Sequence, residues 1–189
     1  YGFGPRGTEG KIAAIKYARE KDIPFLGICY GFQLAVIEFA RNVCGLTDAN
    51  STEINPETPY PVIDLMPEQR DIEIKGATMR LGAHKIILKK DSLAHELFGK
   101  DVIYERHRHR FEVNLDYIEA LANKGLSFTG KSSDGRRMET LELPANFFYF
   151  ASQFHGEFKS RLGKPSPEYY GFIRGCVNKK LGNQNCSLS

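Results

Sequence analysis

Hydrophobic residues recur at helical spacing in two stretches that flank a short apolar run. In residues 8–20 isoleucine and alanine return every three or four positions, which predicts a helix with Thr8 as its N-cap. Residues 23–29, IPFLGIC, are almost entirely apolar and predict a buried strand. Helical spacing resumes in residues 31–45, which end on a glycine. Strand, tight junction and helix together make half of a βαβ unit.

The remaining chain alternates between turn-rich, strand-like and helical segments. Residues 46–71 contain four prolines and are predicted to be mostly loop. Strands are predicted at 78–90 (one long strand or a pair), 105–114, 126–144 (two strands joined at Asp134-Gly135) and 147–154, and helices at 92–99, 117–125 and 167–181. This order predicts one α/β domain over residues 1–189, a three-layer open sheet, mostly parallel, with a small antiparallel annex.

Composition narrows the classes of function. With 189 residues the chain can bury one core, and its 41% hydrophobic and 26% charged residues are ordinary for a globular domain. A net charge of +3 gives no large electrostatic footprint, so we expect no nucleic-acid partner. The sequence has no apolar run of about 18 residues and no opening signal peptide, so we expect no membrane partner. The four cysteines lack C-x-x-C spacing, which favours a reducing cytoplasm over a disulfide framework or a zinc site.

The pentapeptide Gly27-Ile28-Cys29-Tyr30-Gly31 has the G-x-nucleophile-x-G form of a nucleophile elbow. A turn this tight is expected to need glycine on both sides of Cys29 and to raise the thiol above the sheet. The following helix N-terminus is expected to lower the pKa of the thiol. The alternative interpretation is a buried cysteine that acts as a small hydrophobic residue.

A thiol nucleophile needs a base, and His155 is the best placed of the five histidines. It follows the aromatic strand directly, and ligands of open α/β sheets bind beyond the carboxyl ends of strands. If the strands that precede Cys29 and His155 are parallel neighbours, the two side chains meet. Glu157 would then orient the imidazole and complete a Cys-His-Glu triad. Without Cys29, a histidine in a capped turn would be the simpler interpretation.

Two further motifs admit several interpretations. In ERHRHR, residues 105–110, two histidines share one strand face and three arginines share the other. The pattern allows a metal pair, a phosphate or nucleic-acid site, or a carboxylate site, and the arginine fork favours a carboxylate. Gly2, Gly4 and Gly7 match G-x-G-x-x-G only weakly, because no strand precedes them. Backbone N–H groups of this loop would instead suit an oxyanion hole.

Six segments together resemble the glutamine amidotransferase domain of the CTP synthase family, over nearly the whole chain. They are GFGPRGTEGKI, FLGICYGFQLAVIEFARN, NSTE, TMRLGA, ERHRHRFEVN and QFHGEF, in that order. The domain belongs to the class I (triad) glutamine amidotransferases, whose sheet is of the flavodoxin-like type. The resemblance implies that the first strands of the domain and a synthetase domain are missing from this sequence.

The resemblance implies a role for each matching position. Cys29 would attack the side-chain amide of glutamine, His155 would carry the proton and Glu157 would orient His155. The implied glutamine-binding residues are Gly2 and the Tyr30 N–H at the oxyanion, Tyr30, Gly31, Phe32 and Gln33 along the substrate, Glu53 at the α-amino group and Arg110 at the α-carboxylate.

The family also implies partners. L-Glutamine would be the substrate, and its ammonia would pass to the synthetase domain, where UTP activated by ATP and magnesium becomes CTP. GTP would be an allosteric activator near residues 76–82, and the full-length enzyme would be a cytoplasmic homotetramer that forms filaments in some cases. No cofactor and no metal are expected in this domain.

Two departures from the family pattern keep alternatives open. Tyr1 stands where the family has glycine, and Gly156 stands where it has proline between the catalytic His and Glu. The alternatives are another class I amidotransferase, a stand-alone cysteine hydrolase of the same fold, and a regulatory module with impaired catalysis.

Overall fold

A computed structural model describes residues 4–65 and 79–183. The helices are α1 (Thr8–Glu20), α2 (Tyr30–Asn42), α3 (Leu93–Phe98), α4 (Ile118–Asn123) and α5 (Pro167–Lys180). The strands are β1 (Phe25–Ile28), β2 (Ala49–Ser51), β3 (Tyr60–Leu65), β4 (Arg80–Leu88), β5 (Val102–His109), β6 (Phe111–Val113), β7 (Ser127–Ser132), β8 (Met138–Glu142) and β9 (Tyr149–Ser152). Short 3-10 turns cover Leu115–Tyr117 and Gly156–Phe158.

The strands form a six-stranded sheet in the order β1-β9-β8-β7-β4-β5 and a three-stranded sheet in the order β2-β3-β6. The α/β class is confirmed. The predicted small antiparallel annex corresponds to a second small sheet, but this sheet is mixed, because β2 and β3 pair in parallel and β3 and β6 antiparallel. The expectation of a mostly parallel sheet needs correction, because within the described ranges only β1–β9 and β2–β3 pair in parallel. Short connections from β7 to β8 and from β8 to β9 leave no room for a crossover, so these neighbours run antiparallel.

Strand β9 shows why the domain has three layers. Tyr149 and Ala151 belong to the core formed with α1 and α2, whereas Phe148, Phe150 and Phe154 belong to the core formed with α3 and α5. Side chains of a strand alternate between its faces, so a strand with apolar residues at every position is covered on both sides. The predicted buried strand within the aromatic run 147–154 is therefore confirmed as β9, over Tyr149–Ser152.

Two local expectations were wrong, and a third needs refinement. The proline-rich segment 46–71 was predicted to be mostly loop; within its described part, 46–65, turns and loops separate the short strands β2 and β3. Helix α1 is capped by Gly7, whose φ of 73° is left-handed, and Thr8 lies inside the helix. Segment 105–114 is two strands, and Arg110 lies at the break between them. For the strands, pairing with residues distant in the sequence sets where each strand begins and ends.

Within residues 4–65 and 79–183, no helix combines the length and apolar character needed to cross a bilayer. Cys29, Cys44 and Cys176 are free thiols.

Candidate active site

Cys29 lies at the junction between β1 and α2 in a strained conformation. Its φ of 52° and ψ of −97° place a non-glycine residue on the left-handed side of the map. The backbone N–H donates to the Ser152 carbonyl at 2.7 Å, and the carbonyl accepts from the Gln33 N–H at 3.2 Å. One bond ties the junction to β9 and the other begins α2, so the surrounding structure fixes the strained turn.

The two glycines of the elbow are not equivalent. A Cβ on Gly27 would lie 2.9 Å from the Ala151 Cβ and 3.0 Å from the Gly31 carbonyl carbon, so only glycine fits there. A Cβ on Gly31 would meet no atom within 4 Å. The prediction that both positions need glycine is therefore correct for Gly27 and wrong for Gly31.

The Cys29 thiol is buried, with 5% of its surface exposed. Burial raises its pKa to about 12, and the negative charge of Glu157 adds to the rise. A hydrogen bond from the Tyr30 backbone N–H at the start of α2 lowers the pKa, but by less than burial raises it. The predicted net lowering was therefore wrong: the resting group is a neutral thiol, and attack on a substrate requires a base.

His155 and Glu157 lie at the same end of the sheet as Cys29. In the parallel pair β1–β9, Ile28 is opposite Ser152, so both chains leave the sheet side by side. His155 Nδ1 lies 2.7 Å from Glu157 Oε1, and the His155 backbone N–H donates to the Arg106 carbonyl at 2.8 Å. The carboxylate can therefore hold the imidazole with Nδ1 protonated and Nε2 available as a base.

A cavity of about 280 Å³ opens beside the thiol. It is lined by Cys29, Tyr30, Gln33, Glu53, Met79, Arg108, His109, Arg110 and Phe111. Of the residues expected to bind substrate, Phe32 has no exposed surface and packs in the core, and Gly31 lies in a separate groove between α1 and α5. Gly2 and residues 76–78 lie outside the described residues.

Two opposite charges face this cavity. Burial raises the pKa of Glu53, while the positive charge of Arg110 and a 3.3 Å hydrogen bond from the Gly4 N–H lower it. The Nε of Arg110 is buried and has no hydrogen-bond partner among the described residues. A buried guanidinium N–H without an acceptor favours an anionic ligand, and the carboxylate of Glu53 suits a cationic group beside it. The pair matches the two charged groups of an α-amino acid.

Sequence reasoning missed Gln153, which contacts the thiol. Its Nε2 lies 3.6 Å from Cys29 Sγ, and its Oε1 accepts from Gln33 Nε2 at 3.2 Å. Gln33 Nε2 also donates to the Phe111 carbonyl at 2.9 Å. Two fully or nearly buried amides therefore orient the nucleophile from the side of the sheet. The available signal was a polar residue directly after the apolar strand β9, between that strand and His155.

The hydroxyl of Tyr30 fixes the glycine-rich loop next to the site. It donates to the Gly4 carbonyl at 2.6 Å and shares a 2.9 Å hydrogen bond with Thr8 Oγ1. Together with the bond from the Gly4 N–H to Glu53, these contacts hold the end of the loop against α2. Within the described part of the loop, polar contacts fix the backbone at Gly4.

The histidines of ERHRHR lie inward and bind each other. His107 Nδ1 is 3.0 Å from His109 Nε2, and burial together with the charge of Arg80 lowers the pKa of His109 to about 3. Arg80 lies 2.7 Å from Glu139 and 3.7 Å from Glu112. The part of the chain that the structure describes holds no cluster of three or more His, Cys, Asp or Glu arranged for a metal ion. These histidines, with Arg80 and the two glutamates, form a buried polar network that reaches the cavity at His109.

Residues 2–174 match the family glutamine amidotransferase class-I. This match covers most of the chain, and it agrees with the nucleophile elbow at Cys29 and the charged cavity beside it. The chain therefore belongs to the class I glutamine amidotransferases.

The relatives narrow the class further. The chain is 60% identical over 182 residues to a CTP synthase of Thermococcus gammatolerans and 61% identical over 177 residues to one of Saccharolobus solfataricus, covering 96% and 94% of this chain. It spans about a third of the length of these relatives, 34% and 33%. The glutaminase domain of a Trypanosoma brucei CTPS with bound acivicin matches with a TM-score of 0.89 and 40% identity, over 94% of this chain and 69% of that one. The chain is a glutamine amidotransferase domain of the CTP synthase type.

A more distant structure supports the fold alone. A GMP synthase component from Thermoplasma acidophilum has a TM-score of 0.58 at 15% identity, over 94% of this chain and 69% of that one.

Proposed function

We propose that this domain hydrolyses L-glutamine to glutamate and ammonia with Cys29, His155 and Glu157. The observation that carries the proposal is the presence of Glu53 and Arg110 in the same cavity as the Cys29 thiol. An amino acid held by both charges directs its side chain away from them, toward the nucleophile. A cavity of about 280 Å³ is a suitable size for one small amino acid.

Binding begins with the two charges. Arg110 pairs with the α-carboxylate of glutamine through its guanidinium fork, and Glu53 accepts hydrogen bonds from the α-ammonium group. Glu53 already accepts from the Gly4 N–H, so substrate binding and the glycine-rich loop share one carboxylate. Tyr30 and Gln33 line the cavity beside the thiol.

Chemistry begins with proton transfer, because the thiol is neutral at physiological pH. His155 takes the proton from Cys29 as the sulfur attacks the side-chain carbonyl carbon, and the carbonyl oxygen becomes an oxyanion. The Tyr30 N–H at the start of α2 supports this oxyanion, and Gly2 remains a prediction of the family resemblance. His155 then gives the proton to the departing nitrogen, which leaves as ammonia, and a thioester remains. Water activated by His155 hydrolyses the thioester to glutamate and restores the thiol.

The destination of the ammonia is part of the same proposal. The relatives named CTP synthase support the use of this ammonia in CTP synthesis. Amination of UTP in a synthetase domain that uses ATP and magnesium stays a prediction from the family resemblance. Activation by GTP, a tetrameric or filamentous assembly and a cytoplasmic location stay predictions from the family resemblance.

The test is glutamate release by the full-length polypeptide that carries this sequence. Cys29→Ala should abolish release, while Cys44→Ala, a half-exposed thiol outside the site, should leave it unchanged. Acivicin, which is bound in the Trypanosoma brucei relative, should add once per chain at Cys29. Glutamate release that survives Cys29→Ala would refute the proposed nucleophile. A folded wild type that binds glutamine without hydrolysing it would favour the regulatory module.

A further inference from the structure

The turn that carries His155 and Glu157 rests directly on helix α5. Gly156 begins this turn, and a Cβ placed on it would overlap with the carboxyl oxygen Oε1 of Glu168 and come within 2.5 Å of Ser166 Oγ. Both contacts come from the first turn of α5 and the residue that precedes it. The side chain of Glu168 therefore occupies the space that any larger residue at position 156 would need.

The backbone at this position would accept a proline. Gly156 is the first residue of a 3-10 turn, a position where proline is tolerated, since its N–H needs no partner within the turn. His155 has a φ of −112° and a ψ of 85°, outside the helical region that a following proline disfavours. The obstacles to a proline at this position are thus the side chains of Glu168 and Ser166 rather than the local backbone.

Glu168 is an unusual residue to find beneath such a turn. It has no exposed surface, its Oε2 accepts a 2.6 Å hydrogen bond from Ser166, and its Oε1 is buried without a hydrogen-bond partner among the described residues. The charged groups that act on it most are the carboxylates of Glu105 on β5 and Glu157, both negative. Burial and these charges raise its pKa to about 7, so the carboxyl group holds its proton below neutral pH.

The neighbouring residue of α5 contacts the other end of the same turn. Tyr169 donates from its hydroxyl to Glu157 Oε2 at 3.3 Å, while Glu157 Oε1 faces His155 Nδ1 at 2.7 Å. The beginning of α5 therefore meets the turn at two points, beneath Gly156 and at the carboxylate that orients the imidazole.

We propose that Glu168 is a positioning residue for the imidazole of His155, and that Gly156 and Glu168 form a matched pair in which the glutamate side chain fills the space that a side chain at position 156 would need. The proposal rests on the function proposed above, because the residue acts through His155 and Glu157. It implies that neither member can change to a residue of different size without moving the turn.

A double-mutant cycle in the full-length polypeptide tests this pair. Gly156→Pro alone should lower kcat for glutamine about 100-fold, the loss that follows a displacement of about 1 Å in a catalytic group. Adding Glu168→Ala to it should restore at least a tenth of the wild-type kcat, because the overlapping carboxyl group is gone and the Ser166 hydroxyl is no longer held by its hydrogen bond to Glu168. Glu168→Ala alone should lower kcat several-fold with KM nearly unchanged, and Glu168→Gln, of equal size and neutral, should keep wild-type kcat. Val177→Ala, an exposed change on the same helix, is the control.

Thermal unfolding of the same variants tests the contact without reference to activity. The midpoint should fall in Gly156→Pro and recover in the double variant. If the wild-type protein has no glutaminase activity, the proposed function is overturned. The unfolding midpoints of the same variants would still decide whether Gly156 and Glu168 form a matched pair. Wild-type kcat and midpoint in Gly156→Pro, or a double variant no better than Gly156→Pro, would overturn the inference. If Gly156→Pro does not fold, the Glu168 variants decide. A wild-type kcat in Glu168→Ala overturns the inference, and a several-fold loss of kcat in Glu168→Ala that is absent in Glu168→Gln supports it.

Discussion

Replacing Arg110 tests the charge pair that carries the proposed function. Its Nε is buried and has no acceptor among the described residues, and its charge already lowers the pKa of Glu53. Arg110→Ala leaves the α-carboxylate of bound glutamine desolvated without a partner, which costs about 2–4 kcal/mol. At about 1.4 kcal/mol per tenfold, this loss corresponds to a rise of roughly 30- to 700-fold in KM. The kcat should change little, because the pair forms equally in the ground and transition states.

The assay measures glutamate release over a range of glutamine concentrations. Arg106→Ala is the matched control, because Arg106 lies on the exposed face of β5 with its guanidinium 5.9 Å from the Phe158 ring centroid. Arg110→Lys should recover only part of the affinity, since an ammonium group lacks the planar fork. The α-amide of glutamine, which has no α-carboxylate, gives the sharper contrast. Wild type should strongly prefer glutamine over this amide, and Arg110→Ala should lose most of that preference.

Two results would refute the reasoning. A KM within twofold of wild type in Arg110→Ala would show that another cation binds the carboxylate, and Arg108, which also lines the cavity, would be next to test. An unchanged preference for glutamine over its α-amide, despite a raised KM, would show that Arg110 supports the cavity without touching the carboxylate.

Three further predictions follow from the geometry. Gly27→Ala should lower the free energy of unfolding by about 1–3 kcal/mol in chemical denaturation, whereas Gly31→Ala should change it by less than about 1 kcal/mol; equal effects would contradict the steric account of the elbow. Acivicin should label Cys29 alone. A small non-specific alkylating agent should not prefer Cys29 over Cys44, because burial raises the pKa of Cys29 to about 12. Fast alkylation of Cys29 by such an agent at neutral pH would contradict this prediction. The pKa of Glu168 rises from 4.5 to about 7 on folding, so its contribution to stability is complete below about pH 4.5 and is lost as pH rises to about 7, a change of roughly 3 kcal/mol. The pH dependence of the unfolding midpoint should be flatter in Glu168→Gln, and identical slopes would contradict the prediction.

The sequence alone determined the parts of the protein that depend on short-range patterns. The flanking helices, the buried strand before Cys29 and the aromatic strand before His155 follow from periodicity over ten to fifteen residues, and the structure places all of them as predicted. Gly27 could be predicted in part, because one of its clashes is with the Gly31 backbone four residues on; the other, with Ala151 on β9, depends on the fold. His155 and Glu157 could be paired because two residues in one turn stay close in any fold that keeps the turn.

Only the tertiary structure decided what depends on residues far apart in the chain. Gln153 reaches Cys29 across 124 positions, Phe32 turns into the core although its neighbour Tyr30 lines the cavity, and strand directions follow connection lengths rather than composition. The pKa of Cys29 is opposite in direction to the prediction, because burial depends on every layer packed around the thiol while the helix N-terminus is visible locally.

Gly156 shows the same division within one residue. In the sequence it is a glycine where the family has proline, which indicates a looser turn. In the folded protein the space beside it is filled by Glu168, twelve residues away on α5, so the turn is confined by a neighbour that no local pattern identifies. Local patterns report backbone preferences, whereas the position of a catalytic turn is fixed by the volume that other elements leave for it.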